Sequence, residues 1–275
     1  MRTVLITGCS SGFGLELTLA FARAGDTVIA TMRDTARRGA LDERLRATGL
    51  RAEVLGLDVS DRDQIGKTVA AVVARHGRID VVVNNAGKLV PGPLETLADA
   101  DLRTMFDVNL FGAINLTQAV VPVMRQHGSG RIIFVGALGG VMNTPWLGGY
   151  CATKHALDSV AAIFDLELRP FGIRVSSILP GAFRTNLSGG AMAPPGAGHD
   201  DGGPYGRRVG EFMKGFSQRV TRNVDLGPVA DAVLTAASAV DPEPRYLVAP
   251  GRESVVGPLV KSLNDRHEQD VRDYA

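Results

Sequence analysis

Seven short apolar runs recur along the chain, at residues 4–6, 27–31, 52–57, 81–83, 132–135, 175–179 and 246–248. Longer stretches with helical spacing separate them, at 12–24, 36–48, 61–76, 99–126, 149–169 and 228–239. Most of the runs are apolar throughout instead of alternating, as in strands covered on both faces. A chain that alternates strand and helix in this way builds βαβ units. These stack into a parallel sheet with a helical layer on each face. The expected fold is α/β, a three-layer doubly wound parallel sheet of about seven strands. No internal repeat or linker divides residues 1–275, so one domain is expected.

One region departs from the alternation. Residues 188–206 read SGGAMAPPGAGHDDGGPYG and carry no periodicity. Long irregular segments in compact domains are commonly lids or binding loops. This one follows the sixth apolar run, and open α/β sheets bind ligands beyond the carboxyl ends of their strands. The helical stretch 207–222 comes next, with Val209, Phe212, Met213 and Phe216 on one apolar face. Residues 186–225 are therefore expected to form a flexible substrate-binding loop and helix within the domain. A tolerated surface insertion is the alternative.

Composition excludes several functions. The net charge is +1, which gives no general attraction to nucleic acid or to anionic membranes. No apolar run approaches the ~20 residues of a membrane span, and no basic-then-apolar leader precedes the first strand. The two cysteines, Cys9 and Cys151, offer neither a disulfide framework nor metal spacing, which fits a cytoplasmic setting. The five histidines also lack ligand spacing and are expected on the surface or in loops.

The first strand runs into Gly8-Cys9-Ser10-Ser11-Gly12-Phe13-Gly14 and then a helix. Glycines at this junction allow a tight turn and close approach by a pyrophosphate, while the helix N-terminus offers free N–H groups. Position makes the pattern meaningful, since a lone glycine motif is weak. Ser10 and Ser11 add hydroxyls for ribose or phosphate. The second strand ends at Thr31-Met32-Arg33-Asp34. Met32 cannot accept from a ribose diol as a carboxylate does, and Arg33 suits a 2′-phosphate. NADP(H) is expected over NAD(H), unless Arg33 is a solvated surface residue and Asp34 holds the ribose. Asp58 and Val59 end the third strand, and Asn84-Asn85-Ala86-Gly87 end the fourth, both on the cofactor side. Asp58 can accept from the adenine amino group; as a helix N-cap it is less suited than Ser60 or Asp61.

Tyr150 and Lys154 stand at i and i+4 and share a helix face. A free Tyr, with a pKa near ~10, exchanges protons poorly at neutral pH. A nearby ammonium favours the phenolate and lowers that value. A Tyr so tuned can give a proton to a carbonyl oxygen as hydride reaches its carbon, or take one from an alcohol.

These motifs together resemble the classical short-chain dehydrogenase/reductase family, whose fold is Rossmann-like. The residues that carry the resemblance are Thr7-Gly8-x-x-x-Gly12-x-Gly14, Asn84-Asn85-Ala86-Gly87, Asn109, Tyr150-x-x-x-Lys154 and Pro180-Gly181. The stretches ITGCSSGFG, ATMRD, GALGGVMNTP and YCATKHAL are similar to the NADP-using 17β-hydroxysteroid dehydrogenases and their retinol dehydrogenase relatives. The resemblance implies that Tyr150 is the proton donor and acceptor. It implies that Lys154 tunes Tyr150 and holds the nicotinamide ribose, that Asn109 supports a water-linked proton relay, and that Thr185 bonds the carboxamide. It further implies a small lipophilic ketone or secondary alcohol as substrate, steroid-like or aromatic. Pairing of the helical stretches 99–126 and 149–169 in a homodimer or homotetramer is also implied. Met142, Pro145 and Trp146, with Phe212 and Phe216, are candidates to line an apolar substrate pocket.

One position departs from the family. A Ser is expected thirteen residues before the Tyr, where this chain has Ala137. Its neighbours, Gly136 and Leu138, do not restore a hydroxyl, and loss of one such donor typically costs ~10²–10³ in rate. Asn143 and Thr144 are polar, but nothing in the sequence places them at the substrate. Either Ala137 is a replacement made to trap substrate and cofactor, or the chain is a natural member that works slowly or differently. The intact remainder of the site favours the first. A non-catalytic NADP-binding protein and an elimination or epimerisation enzyme stand as alternatives to a redox enzyme.

Overall fold

Every residue of β1 (Thr3–Thr7) is buried, and its side chains divide between two cores. Val4 and Ile6 join an apolar cluster with Leu17, Phe21, Val229 and Val233 on one face of the sheet. Leu5 joins Ile65, Val69, Leu116, Val120 and Leu157 on the other. This is the period of two that a pleated strand imposes, with both faces covered. The remaining strands are β2 (Thr27–Met32), β3 (Glu53–Gly56), β4 (Val81–Asn84), β5 (Gly130–Val135), β6 (Ile173–Pro180) and β7 (Arg245–Val248). All pair in parallel, in the order β3-β2-β1-β4-β5-β6-β7. The computed structural model describes residues 1–187, 204–222 and 225–274.

α1 (Gly12–Arg23) and α8 (Gly227–Ser238) cover the first face; α3 (Arg62–His76), α5 (Gly112–Gln126) and α6 (Gly148–Leu168) cover the second. α2 (Gly39–Thr48) follows β2, and α7 (Gly206–Arg222) precedes α8. The chain reverses its winding between β1 and β4. That switch point opens a crevice at the carboxyl ends of the two strands, the usual ligand position in such sheets. Thr7 ties the ends together: its hydroxyl oxygen accepts from Asn85 N and Ala86 N, both at 3.0 Å. Asn85 Nδ2 donates back to Thr7 O at 2.7 Å.

The sequence reading needs three corrections here. The stretch 99–126 is not one regular helix. It is α4 (Asp99–Phe106), a π-turn over Asp107–Phe111, and α5. The widened turn holds Asn109, whose buried side chain makes three hydrogen bonds that offset the irregularity. Second, residues 253–274 form α9 (Glu253–Tyr274), which carries no long apolar stripe. Its first turns pack Val256 and Val260 on Leu179, and its later turns dock through charge. Third, His267 is buried, not on the surface, and hydrogen-bonds Asp165 Oδ2 at 3.0 Å. Asp165 also accepts from Arg169 at 2.7 Å, Arg174 at 3.1 Å and Val175 N at 2.8 Å. Burial would raise the Asp165 pKa, but the hydrogen bonds from His267, Val175, Arg174 and Arg169 outweigh it and hold the carboxyl well below the usual range. Of the other histidines, His155 and His127 are exposed, and His199 lies outside the described residues.

Candidate active site

The Gly8–Gly14 turn sits on the crevice with the N-terminus of α1. Gly8 and Gly12 have φ of 75° and 58°, where a side chain is disfavoured. Gly14 serves packing instead: a Cβ there would lie 2.3 Å from Gly8 O. The turn therefore presents backbone and the hydroxyls of Ser10 and Ser11 to a cleft of about 590 Å³. Ser11 is the N-cap of α1 but makes no side-chain capping bond. A backbone cradle with an uncapped helix N-terminus fits a pyrophosphate.

Gly8, Ser10, Ser11, Gly12 and Phe13 border this cleft at one wall. Arg33, Asp58 and Val59 border it beyond the ends of β2 and β3, and Asn85, Ala86, Gly87 and Thr185 complete that side. Asp34 is also present, but its carboxylate accepts from Ala36 N at 3.0 Å and caps a 3₁₀ turn. Asp58 takes Ser60 N at 2.9 Å and the Ser60 hydroxyl at 2.6 Å, while Asp61 caps α3. Gly14, Pro180 and Gly181 lie behind the wall; Gly181 N donates to Val248 O at 2.8 Å where β6 ends.

Tyr150 and Lys154 reach the same cleft from the first turns of α6. Both are buried, and Lys154 Nζ donates to Val135 O at 2.8 Å. Asn109 lies behind them: its Oδ1 accepts from Lys88 N at 2.7 Å, and its Nδ2 donates to Lys88 O at 2.8 Å and Thr153 Oγ1 at 3.0 Å. Its side chain thus locks the segment after Gly87 to α6. Burial acts on the pair against the expected effect of Lys154 on the Tyr150 pKa. Burial raises Tyr150 and pushes Lys154 from the ordinary lysine value down to about 8. The ammonium lies 5.8 Å from the ring centroid and spends a hydrogen bond on Val135, so its attraction does not offset desolvation.

Ala137 is buried beside Tyr150 in a cluster with Val90 and Met105. The apolar pocket residues fall elsewhere than expected. Met142 packs with Leu179, Val256 and Val260, and Pro145 is exposed. Trp146 meets Tyr205 edge to face, and Phe212 stacks on Phe216 at 5.8 Å. None of the five borders the cleft among the described residues. Most of the expected loop, at 188–203, lies outside those residues. The apolar lining of the cleft includes Leu89, Val90, Pro91 and Leu187, with Lys88, Asp101 and Thr104 also bordering it, and Arg37 borders it as Arg33 does. Sequence reading missed these because no motif marks them. The signal for residues 88–91 was their place just after Gly87.

Among the described residues, no helix is long and apolar enough to cross a membrane, and no cluster of His, Cys, Asp or Glu could hold a metal. A model of the family described as short chain dehydrogenase matches residues 2–194. Estradiol 17-beta-dehydrogenase 1 of Rattus norvegicus is 36% identical over 250 residues, covering 88% of this chain and 72% of that protein. Retinol dehydrogenase 8 of Bos taurus is 37% identical over 192 residues, covering 68% and 61%. The crystal structure of a short-chain dehydrogenase from Streptomyces avermitilis matches with a TM-score of 0.79 and 34% identity, covering 98% of this chain and 95% of that one. With the seven-stranded parallel sheet, the glycine turn and the Tyr150–Lys154 pair in one cleft, the chain belongs to the classical short-chain dehydrogenases, in the branch of the 17β-hydroxysteroid and retinol dehydrogenases.

Proposed function

We propose that this oxidoreductase is an NADP(H)-dependent enzyme that interconverts a lipophilic ketone and its secondary alcohol, steroid-like or aromatic. One observation carries the reading: Tyr150 and Lys154 share a cleft with the glycine turn and with two arginines, Arg33 and Arg37. Gly8, Ser10, Ser11, Gly12 and Phe13 would hold the pyrophosphate, and Arg33 with Arg37 would hold a 2′-phosphate. Asp58 and Val59 would border the adenine, and Asn85, Ala86, Gly87, Lys154 and Thr185 the nicotinamide half. When bound, a nicotinamide cofactor supplies or accepts the hydride. Tyr150 holds the proton that the substrate oxygen gains in reduction, and takes it back in oxidation. Its burial keeps water from competing for that proton. Lys154 anchors α6 to β5 through Val135 and places its ammonium beside the Tyr150 ring.

Self-association as a homodimer or homotetramer is supported by Phe111, at the end of the π-turn before α5, and Ile163 on α6, large apolar residues left about half exposed. Two buried free cysteines are consistent with a cytoplasmic protein. A non-catalytic NADP-binding role draws on one observation, that Ala137 offers no donor beside Tyr150. The test is NADPH absorbance on a panel of steroid and aromatic ketones. Tyr150→Phe should abolish turnover and leave NADPH binding intact, while Ala137→Ser should raise turnover by ~10²–10³. Retained turnover in Tyr150→Phe refutes the mechanism.

A further inference from the structure

Trp146 has a φ of 64°, and it is the one non-glycine residue with positive φ among those described. A bulky side chain persists in this left-handed region only where its surroundings fix it, and such residues cluster at functional sites. Two contacts fix Trp146, and a third bond holds the second of them. Its carbonyl oxygen accepts from Gly92 N at 2.7 Å. Its ring meets Tyr205 edge to face, with centroids 5.7 Å apart and planes at 64°. Tyr205 in turn donates its hydroxyl to Glu95 Oε2 at 2.6 Å. Three separate segments therefore meet at one point. Residues 92–95 continue directly from Pro91, which borders the cleft. Trp146 lies four residues before Tyr150, and Tyr205 stands on the turn that opens α7.

We propose that Trp146, Tyr205 and Glu95 form a joint that seats the start of α7 against the loop carrying Tyr150, and so sets the fit of the ketone or alcohol substrate. They are positioning residues and do not touch the reacting atoms. The inference rests on the oxidoreductase reading of the cleft. None of the three borders the cleft that holds Arg33 and the glycine turn, so cofactor binding is expected to be independent of the joint.

The experiment is steady-state kinetics with NADPH, joined to the emission of Trp146, the single tryptophan of the chain. Tyr205→Phe removes the bond from Tyr205 to Glu95, and Glu95→Gln replaces its carboxylate acceptor with a weaker amide oxygen. Each should raise KM for the ketone by about threefold to tenfold, with kcat little changed. NADPH dissociation constants should stay as in the unaltered protein. Tyr205→Ala should move Trp146 emission to longer wavelength by admitting water to the indole. Trp146→Phe, which keeps an aromatic partner, should hold KM closer to the unaltered value than Trp146→Ala. An unchanged KM in both Tyr205→Phe and Glu95→Gln overturns the joint, as does unchanged emission in Tyr205→Ala. If the unaltered chain reduces none of the ketones, the oxidoreductase reading fails and the substrate role of the joint falls with it. Turnover with unmoved KM sinks the joint alone.

Discussion

A methyl group placed on Gly14 tests whether close packing of α1 on β1 builds the cofactor turn. The added Cβ would lie 2.3 Å from Gly8 O, 2.6 Å from Asn85 Nδ2 and 2.8 Å from the Gly8 carbonyl carbon. Ordinary contact begins near 3.4 Å, so α1 must withdraw by about 1 Å. None of these atoms can swing away. Two belong to the backbone of the turn, and Asn85 Nδ2 is held by Thr7 O at 2.7 Å and Gly8 O at 3.2 Å. Overpacking of this kind costs ~1–3 kcal/mol, and loss of one Asn85 bond adds about 1 kcal/mol. The sum, roughly 2–4 kcal/mol, is a large part of the ~5–15 kcal/mol that keeps a domain folded. At ~2–4 °C per kcal/mol for a chain of this size, Tm falls by about 4–16 °C. The same displacement moves Gly8 and the N-terminus of α1, so NADPH affinity should fall by about tenfold to a hundredfold. Thermal melting and NADPH fluorescence titration read the two effects. Gly66→Ala in α3 is the control: a Cβ there meets nothing within 4 Å, and helix propensity favours Ala by up to ~1 kcal/mol. If Gly14→Ala melts and binds like the unaltered protein, the packing argument is wrong.

Burial lowers the Lys154 pKa to about 8, so the folded state sheds that proton more readily than the unfolded chain. The group therefore opposes folding below about pH 8, and the penalty fades as pH rises toward ~10.4. Lys154→Met should abolish turnover, and its Tm relative to the unaltered protein should be more favourable at pH 7 than near pH 10, because the lost Val135 bond costs the same at both and only the ionisation penalty fades; a difference independent of pH contradicts this. Asp165 has the opposite sign: its depressed pKa adds stability above the ordinary carboxylate range, which is lost as pH falls through the folded value. Asp165→Asn leaves Arg169 and Arg174 facing an uncharged amide and should cost about 3–5 kcal/mol by denaturant titration, most visibly at neutral pH. Arg33→Ala and Arg37→Ala should each weaken NADPH binding by about tenfold and leave NADH binding nearly unchanged. An equal loss for both cofactors would remove the arginines from 2′-phosphate recognition.

What the sequence made legible follows the kind of force at each place. Most of the strands could be read because burial on both faces leaves continuous apolar runs, as residues 81–83 and 132–135 show. α9 could not, because part of its docking is ionic. The groups that hold its later turns are Asp165 on α6, which takes His267, Arg169 just beyond that helix, which takes Glu268, and Arg245 on β7, which donates to Leu263 O, all distant in sequence. The π-turn at Asn109 escaped for a similar reason. It depends on hydrogen bonds to Lys88, 21 residues away, and local helical periodicity carries no trace of them. The cofactor wall was legible because glycine and charge are read position by position. The apolar wall was not: Leu89, Val90 and Pro91 follow β4 and Leu187 follows β6, so they converge only when both strands have joined the sheet on either side of β5. Met142 and Trp146, chosen for their apolar character, are used for packing behind or beside the cleft.

Ala137 divides structure from chemistry at a single side chain. Its backbone is extended, with φ −166° and ψ 160°, and its carbonyl oxygen accepts from Gly140 N at 2.8 Å to start a 3₁₀ turn. Neither feature depends on the side chain, since any residue adopts that conformation. Gly139 and Gly140 then let the turn pass close to Cys151 and Lys154; a Cβ on Gly140 would lie 2.8 Å from Lys154 O. The loop is thus shaped by these glycines and by α6, and a hydroxyl at 137 would not reshape it. The consequence of Ala137→Ser must then appear in turnover and leave Tm close to that of the unaltered protein. An isolated hydroxyl among Val90 and Met105 would cost ~1–3 kcal/mol if nothing bonded it. A small change in Tm therefore carries its own meaning: the new hydroxyl has found a polar partner, and the member of that cluster with a hydrogen-bonding side-chain oxygen is Tyr150.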